Sequence, residues 1–146
     1  MRYLVLATLL SLGLGCTSQK KQSQSMATSS DYTQVADSLL GKENKIQYLM
    51  SADSSYAICY TQEGNTPQQP ESRVKYVVLD TQTGSSLLDG LLSNGKISWL
   101  DAEHVQIVRI PGIIQEGQTI EDYTQVVNVK TKKSVTKSEF NNRQSE

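Results

Sequence analysis

Lys45-Ile46-Gln47-Tyr48-Leu49 returns later in the chain as Lys96-Ile97-Ser98-Trp99-Leu100, and the order of segments after the first copy is repeated after the second. A short polar stretch comes next in both places, Ser51-Ala52-Asp53-Ser54-Ser55 and Asp101-Ala102-Glu103-His104. A second β-rich run succeeds it, residues 56–60 and 105–110, then a loop rich in Gly, Pro, Gln and Glu, then a third run, residues 74–80 and 123–129. Both third runs end in turn residues, Asp80-Thr81-Gln82-Thr83-Gly84 and Asn128-Val129-Lys130-Thr131-Lys132. Self-similarity at roughly fifty residues is the mark of one supersecondary unit used twice.

Each run reads as a strand. Tyr56, Ile58 and Tyr60 alternate with Ala57 and Cys59, and Ile97 and Trp99 flank Ser98, the period of two that separates the faces of a sheet. The residues are mostly β-branched or aromatic, and Asp, Asn, Ser and Gly bound them. Pro67, Pro70 and Pro111 all lie outside the runs, where no ladder donor is lost. The polar links at 51–55 and 101–104 are short enough for hairpins, so neighbouring strands are expected to pair antiparallel. One segment departs from this pattern. Tyr32, Val35, Ala36, Leu39 and Leu40 fall at helical spacing, with Ser30 or Asp31 as an N-cap and Gly41 as a stop. The same pentapeptide, Asp31-Tyr32-Thr33-Gln34-Val35, recurs as Asp122-Tyr123-Thr124-Gln125-Val126 inside an expected strand. The caps favour a short helix for the first copy.

The order of strand, polar turn, strand, long loop, strand and Asp-Thr-x-Thr-Gly turn resembles single blades of bacterial β-propellers, with Trp99-Leu100-Asp101-Ala102 in the place of a blade-opening motif. The resemblance spans residues 45–137. Propellers close with four or more blades, and this chain has room for two. The expected fold is therefore all-β: an antiparallel meander of two related three- to four-stranded units forming a small sandwich or partial barrel, with a short N-terminal helix. The expected domain covers residues 31–140, followed by a disordered tail at 141–146.

The N-terminus carries a different message. Met1-Arg2, an apolar run from Leu4 to Leu14 and small residues directly before Cys16 make a secretory signal too short to cross a bilayer as a helix. This grammar resembles a bacterial lipoprotein signal. The resemblance implies a signal peptide at 1–15, lipid on the Cys16 thiol and a mature chain held at a membrane. Residues 17–30, built from Ser, Thr, Gln, Lys, Ala and Met, lack the apolar surface to order themselves and read as a tether. Thr17 and the lack of an acidic run after Cys16 imply, by the same resemblance, the periplasmic face of an outer membrane.

Charge excludes one class of partner. Loss of the signal removes Arg2 and leaves 13 basic against 15 acidic side chains, a balance that argues against nucleic acid. The cluster Lys130, Lys132, Lys133 and Lys137 reads as protection of an edge strand. With Cys16 lipidated, Cys59 has no partner for a disulfide.

No constellation for catalysis or metal binding emerges, and no cofactor is expected. His104 is the single histidine and sits in a turn without a nucleophile motif. Asp53, Asp80, Asp89, Asp101 and Glu103 mostly take turn positions, where a carboxylate caps backbone amides. Cys59, between two tyrosines, reads as a buried small residue. Tyr48, Tyr56, Tyr60, Tyr76 and Trp99 read as core, with Tyr48 and Trp99 at equivalent repeat positions. Arg109-Ile110-Pro111-Gly112-Ile113-Ile114 leaves a strand with three isoleucines for a Gly- and Gln-rich loop, which makes Arg109, Ile110, Pro111, Ile113 and Ile114 the candidate contacts for a partner. The expected function is non-catalytic: an envelope lipoprotein binding a protein or glycan at a membrane surface. Two rivals stand beside it. One is a small hydrolase using two of Asp80, Asp101 and Glu103 in a cleft. The other is an inhibitor or chaperone-like module that adds an edge strand to a client.

Overall fold

Eight strands and two helices occur among the described residues. The computed structural model describes residues 31–64, 66–67 and 71–145. In chain order the elements are α1 (Asp31–Leu40), β1 (Gln47–Met50), β2 (Tyr56–Glu63), β3 (Arg73–Asp80), β4 (Ser86–Ser93), β5 (Gly95–Trp99), β6 (His104–Arg109), β7 (Thr124–Asn128), β8 (Ser134–Thr136) and α2 (Lys137–Gln144). The strands form two antiparallel meanders, β1-β2-β3-β4 and β5-β6-β7-β8. Each copy of the sequence unit builds one four-stranded sheet, and the two pack face to face as an open sandwich rather than a closed barrel.

One core lies between the sheets. Tyr56, Ile58, Val74, Tyr76, Val78 and Leu92 of the first sheet meet Ile97, Val105, Ile107, Val127 and Val129 of the second. A second cluster lies on the outer side of the first sheet, where Ala57, Cys59, Val77 and Leu79 are covered by Ala36 and Leu40 of α1. β2 and β3 are therefore apolar on both faces, as strands sandwiched between two layers must be.

Register fixes how the copies correspond. Tyr56 pairs with Asp80 and Ala57 with Leu79 in the first sheet, and His104 pairs with Asn128 and Val105 with Val127 in the second, each 48 positions further along. At that offset Ala57 and Leu79, which face outward under α1, correspond to Val105 and Val127, which face the other sheet. Tyr56, in the central core, corresponds to His104, which packs against Phe140 of α2. The sheets thus stack head to tail, the same face of each unit pointing the same way, with a helix at either end of the stack. Repeats stacked this way need such caps, because a terminal unit otherwise leaves its apolar face in water.

The turns repeat as faithfully as the strands. The Asp80 carboxylate accepts from the Gln82 and Thr83 amides at 2.9 and 2.8 Å, and the Asn128 side-chain oxygen accepts from Lys130 and Thr131 at 3.0 and 2.8 Å. Gly84 N–H donates to Asp80 O, and Lys132 N–H to Asn128 O, both from a residue at positive φ, 70° and 59°.

Three expectations change. Met50 pairs with Ala57 and Trp99 with Val105, so Met50, not Tyr48, is the counterpart of Trp99. The sequence echo lies two residues out of structural register, which preserves the face but not the position. Asp89 lies inside β4 rather than in a turn. Gly90 is there because the Tyr76 ring lies across it, a Cβ being only 2.7 Å from Tyr76 Oη. The tail expected to be disordered from 141 is instead the end of α2 through Gln144. A capping box starts this helix, with Thr136 Oγ1 accepting from Glu139 N–H at 3.2 Å and Glu139 accepting from Thr136 N–H at 2.9 Å. The repeated pentapeptide also divides as the caps suggested: its first copy is in α1 and its second runs into β7.

Candidate functional site

The loop between β6 and β7 carries the apolar residues singled out in the sequence. Arg109, last in β6, closes its base: its N–H donates to Tyr123 O at 3.0 Å and its Nη1 to Gln125 Oε1 at 2.6 Å. Ile110 N–H donates to Asn94 O at 2.9 Å, tying the loop to the link between the sheets. Beyond Pro111, which is half-buried, the chain turns on its own backbone. Gln118 N–H bonds Gln115 O, Asp122 N–H bonds Thr119 O, and the Asp122 carboxylate accepts from Thr119 N–H at 2.7 Å. The Tyr123 hydroxyl is hydrogen-bonded to Gln118.

Turns at 115–124 order the second half of the loop, and its isoleucines stand at the surface. Ile113 is 83 % exposed, and Ile110, Ile114 and Ile120 are between 42 % and 48 % exposed. Glu116, Glu121 and Asp122 belong to the same loop. The structure therefore leaves Ile110, Ile113 and Ile114 exposed, with Arg109 at the loop base and Pro111 partly covered. Ile120 is exposed in the same loop, where it lines a groove with Lys96, Glu121 and Lys137. In the sequence it gives no signal, because it stands alone between polar residues.

The carboxylates serve their own turns. Asp101 accepts from the Glu103 and His104 amides at 2.8 Å and meets His104 Nδ1 at 2.9 Å. Burial works to raise the Asp101 carboxyl, and the Glu103 amide together with the His104 ring and amide outweighs it, holding the group below the usual range. Lys130 Nζ, 2.5 Å from Glu103 Oε1, holds Glu103 low as well. Asp53 is held low by the Ser51 hydroxyl and Ser55. His104 Nε2 lies 3.1 Å from Asn128 Nδ2, whose own oxygen is engaged by the Lys130 and Thr131 amides. Asp80 caps its own turn and does not join Asp101 or Glu103 in a shared hydrogen-bond network among the described residues. No cluster of three or more His, Cys, Asp or Glu with metal-binding geometry occurs among the described residues.

Cys59 is fully buried beneath α1, and burial pushes its thiol up to about 12, so it stays protonated and inert. Tyr56 and Tyr76 lie in the central core with Tyr60 and Trp99 packed against them. The Trp99 indole N–H crosses between the sheets to Leu49 O at 2.8 Å. Tyr48 faces the other way, edge-on to Tyr32 of α1 with ring centroids 6.4 Å apart. Tyr56, Tyr60, Tyr76 and Trp99 thus pack between the sheets, whereas Tyr48, expected in the core, is 39 % exposed because β1 is an edge strand that α1 covers only in part.

A second apolar surface goes beyond the sequence reading. α1 crosses the outer face of the first sheet but leaves β4 uncovered. A groove of about 520 Å³ opens there, lined by Leu39, Leu40, Val77, Asp89, Gly90 and Leu91 among others. Leu91 is 63 % exposed and Leu39 43 %. Lys75 stands in it with Nζ on Leu39 O at 2.7 Å. The signal was present in the leucines of β4, but Asp89-Gly90 between them imitates a turn.

Cys16, the proposed signal at 1–15 and the tether at 16–30 lie outside the described residues. Comparison with known proteins finds no match to any family, curated protein or solved structure.

Proposed function

We propose that this chain is a non-catalytic binding module of the cell envelope, held at a membrane by lipid on Cys16 and contacting an envelope protein through the β6–β7 loop. The observation that carries the contact is the exposure of Ile110, Ile113, Ile114 and Ile120 on one loop. Apolar side chains gathered in this way on a soluble domain mark a surface that gains by being covered. The turns at 115–124 reduce the entropy that this part of the loop loses when it docks. A membrane tether would raise the effective concentration of the module against any partner on the same surface.

The hydrolase reading has weaker support. It calls for a carboxyl raised in a cleft, whereas Asp101 and Glu103 are held low by partners within their own turns.

Two substitutions separate the parts of the proposal. Cys16→Ala is expected to move the protein from the membrane fraction to the soluble fraction with its circular dichroism unchanged; retention at the membrane sinks the tether. Ile113→Asp with Ile114→Asp is expected to abolish crosslinks to the envelope partner in cells while leaving the melting temperature within a degree or so. Unchanged crosslinks would remove the loop from the interface.

A further inference from the structure

We propose that the free edge of β4, with the groove beside it, docks an extended segment of a partner protein. The segment pairs antiparallel to β4, with an apolar side chain opposite Leu91 and a lysine or arginine opposite Asp89. The inference stands apart from the tether and from the isoleucine loop.

β4 is an outer strand of the first sheet and runs eight residues, Ser86–Ser93. Alternate backbone donors and acceptors of such a strand face away from the sheet and form a template for another strand. Proteins usually close such edges with lysine, proline, bulges or brevity. β4 contains no Lys, Arg or Pro, and its bulge lies opposite Val78 and Leu79, leaving residues 88–93 in regular register with β3. The other edges are treated differently. β1 is four residues long, and its Leu49 carbonyl receives the Trp99 indole. β5 has five residues and carries Lys96. The comparison with β8 is the most direct, because Ser134 is the counterpart of Ser86: Val127 pairs with Ser134 as Leu79 pairs with Ser86. In the second unit this strand comes after Lys132 and Lys133, stops after three residues and turns into α2. Among the described residues, the first unit keeps the same strand long and open.

The chemistry of the groove selects the occupant. Leu91 and Asp89 share the outer face of β4, in register with Lys75 and Val77. Lys75 is engaged by the Leu39 carbonyl, and Asp89 makes no ion pair among the described residues. A strand laid along β4 would set an apolar side chain over Leu91 and Leu39 and, two residues on, a cation beside the Asp89 carboxylate. Main-chain hydrogen bonds would supply affinity, and these two side-chain positions specificity, as in strand addition generally.

The probe is the fluorescently labelled peptide Thr-Val-Thr-Val-Thr-Lys-Thr-Thr, with a second version carrying Glu in place of Lys, titrated into the full chain and followed by anisotropy. Saturable binding of the lysine peptide is expected, weakened about tenfold or more by Leu91→Lys and by Asp89→Lys. Asp89→Lys is expected to prefer the glutamate peptide, while Ile113→Asp leaves affinity unchanged. If the variants do not fold, amide exchange on the unaltered chain decides: slowing at residues 88–93 on adding the lysine peptide supports the proposal, and unchanged exchange overturns it. Failure of both peptides to bind, or equal affinities in the unaltered chain and Asp89→Lys, overturns it too. A concentration-dependent dimer lost in Leu91→Lys would give the edge to a second copy and also overturn it.

Discussion

Lys132 occupies, at φ 59°, the turn position that Gly84 occupies at φ 70° in the other unit. The left-handed region costs an L residue roughly 1–2 kcal/mol, and glycine nothing comparable. Lys132→Gly is therefore expected to stabilise the protein by about 0.5–1 kcal/mol after the extra entropy of glycine in the unfolded chain is counted. A raised urea midpoint with an unchanged slope would show it. Cys59 makes a pH-dependent prediction. In the unfolded chain its thiol ionises near the ordinary value of 9.0, while in the fold it holds its proton to about 12. Below pH 9 both states are protonated and the residue adds no pH dependence. As pH rises from 9 towards 12 the unfolded state alone loses the proton, so stability falls. Cys59→Ala is expected to flatten that alkaline slope in denaturation curves taken between pH 8 and 11, beside a constant loss from the smaller side chain. The burial of Cys59 was legible because it alternates with tyrosines in a strand; its place under α1 rather than in the central core was not.

At the scale of elements, Trp99 joins the layers. It packs on the central core, lies near Tyr56 with ring centroids 6.3 Å apart, and bonds Leu49 O in the other sheet. Trp99→Ala is expected to cost about 3 kcal/mol, at the low end for a large aromatic because the side chain is only half-buried. Trp99→Phe keeps the ring contact, loses the hydrogen bond and is expected to cost about 1 kcal/mol. Near-equal losses in equilibrium unfolding would show that the bond rather than the ring matters. The strands and hairpins around Trp99 were readable from alternation and turn residues. β4 and α2 were not. In β4 a glycine serves the Tyr76 ring rather than a turn, and α2 draws on a capping box and one aromatic contact between His104 and Phe140, whose centroids are 5.1 Å apart. The pentapeptide shared by α1 and β7 makes the point directly. Five residues carry propensities too weak to choose, so the neighbours they meet choose for them.

For the whole molecule, one core drawing on both sheets predicts one transition. Far-ultraviolet signal and tryptophan fluorescence are expected to change together on heating or in urea, and residues 31–94 expressed alone are expected not to fold, since their sheet would expose Ile58, Val78 and Leu92. Separate transitions would mean that each unit stands by itself. The sequence determined that a unit is used twice, that its strands pair with their neighbours through short turns, and that a helix precedes them, because hairpin pairing and turn chemistry are local and depend on residues close in the chain. Only the tertiary structure decided that the units stack head to tail, that α1 and α2 cap the two ends, and that β4 is left open beside a groove. The continuous apolar runs of β2 and β3 make both faces apolar, but a buried face gains the same free energy from any apolar layer that covers it. Which layer lies on which face is set by the packing of the assembled chain.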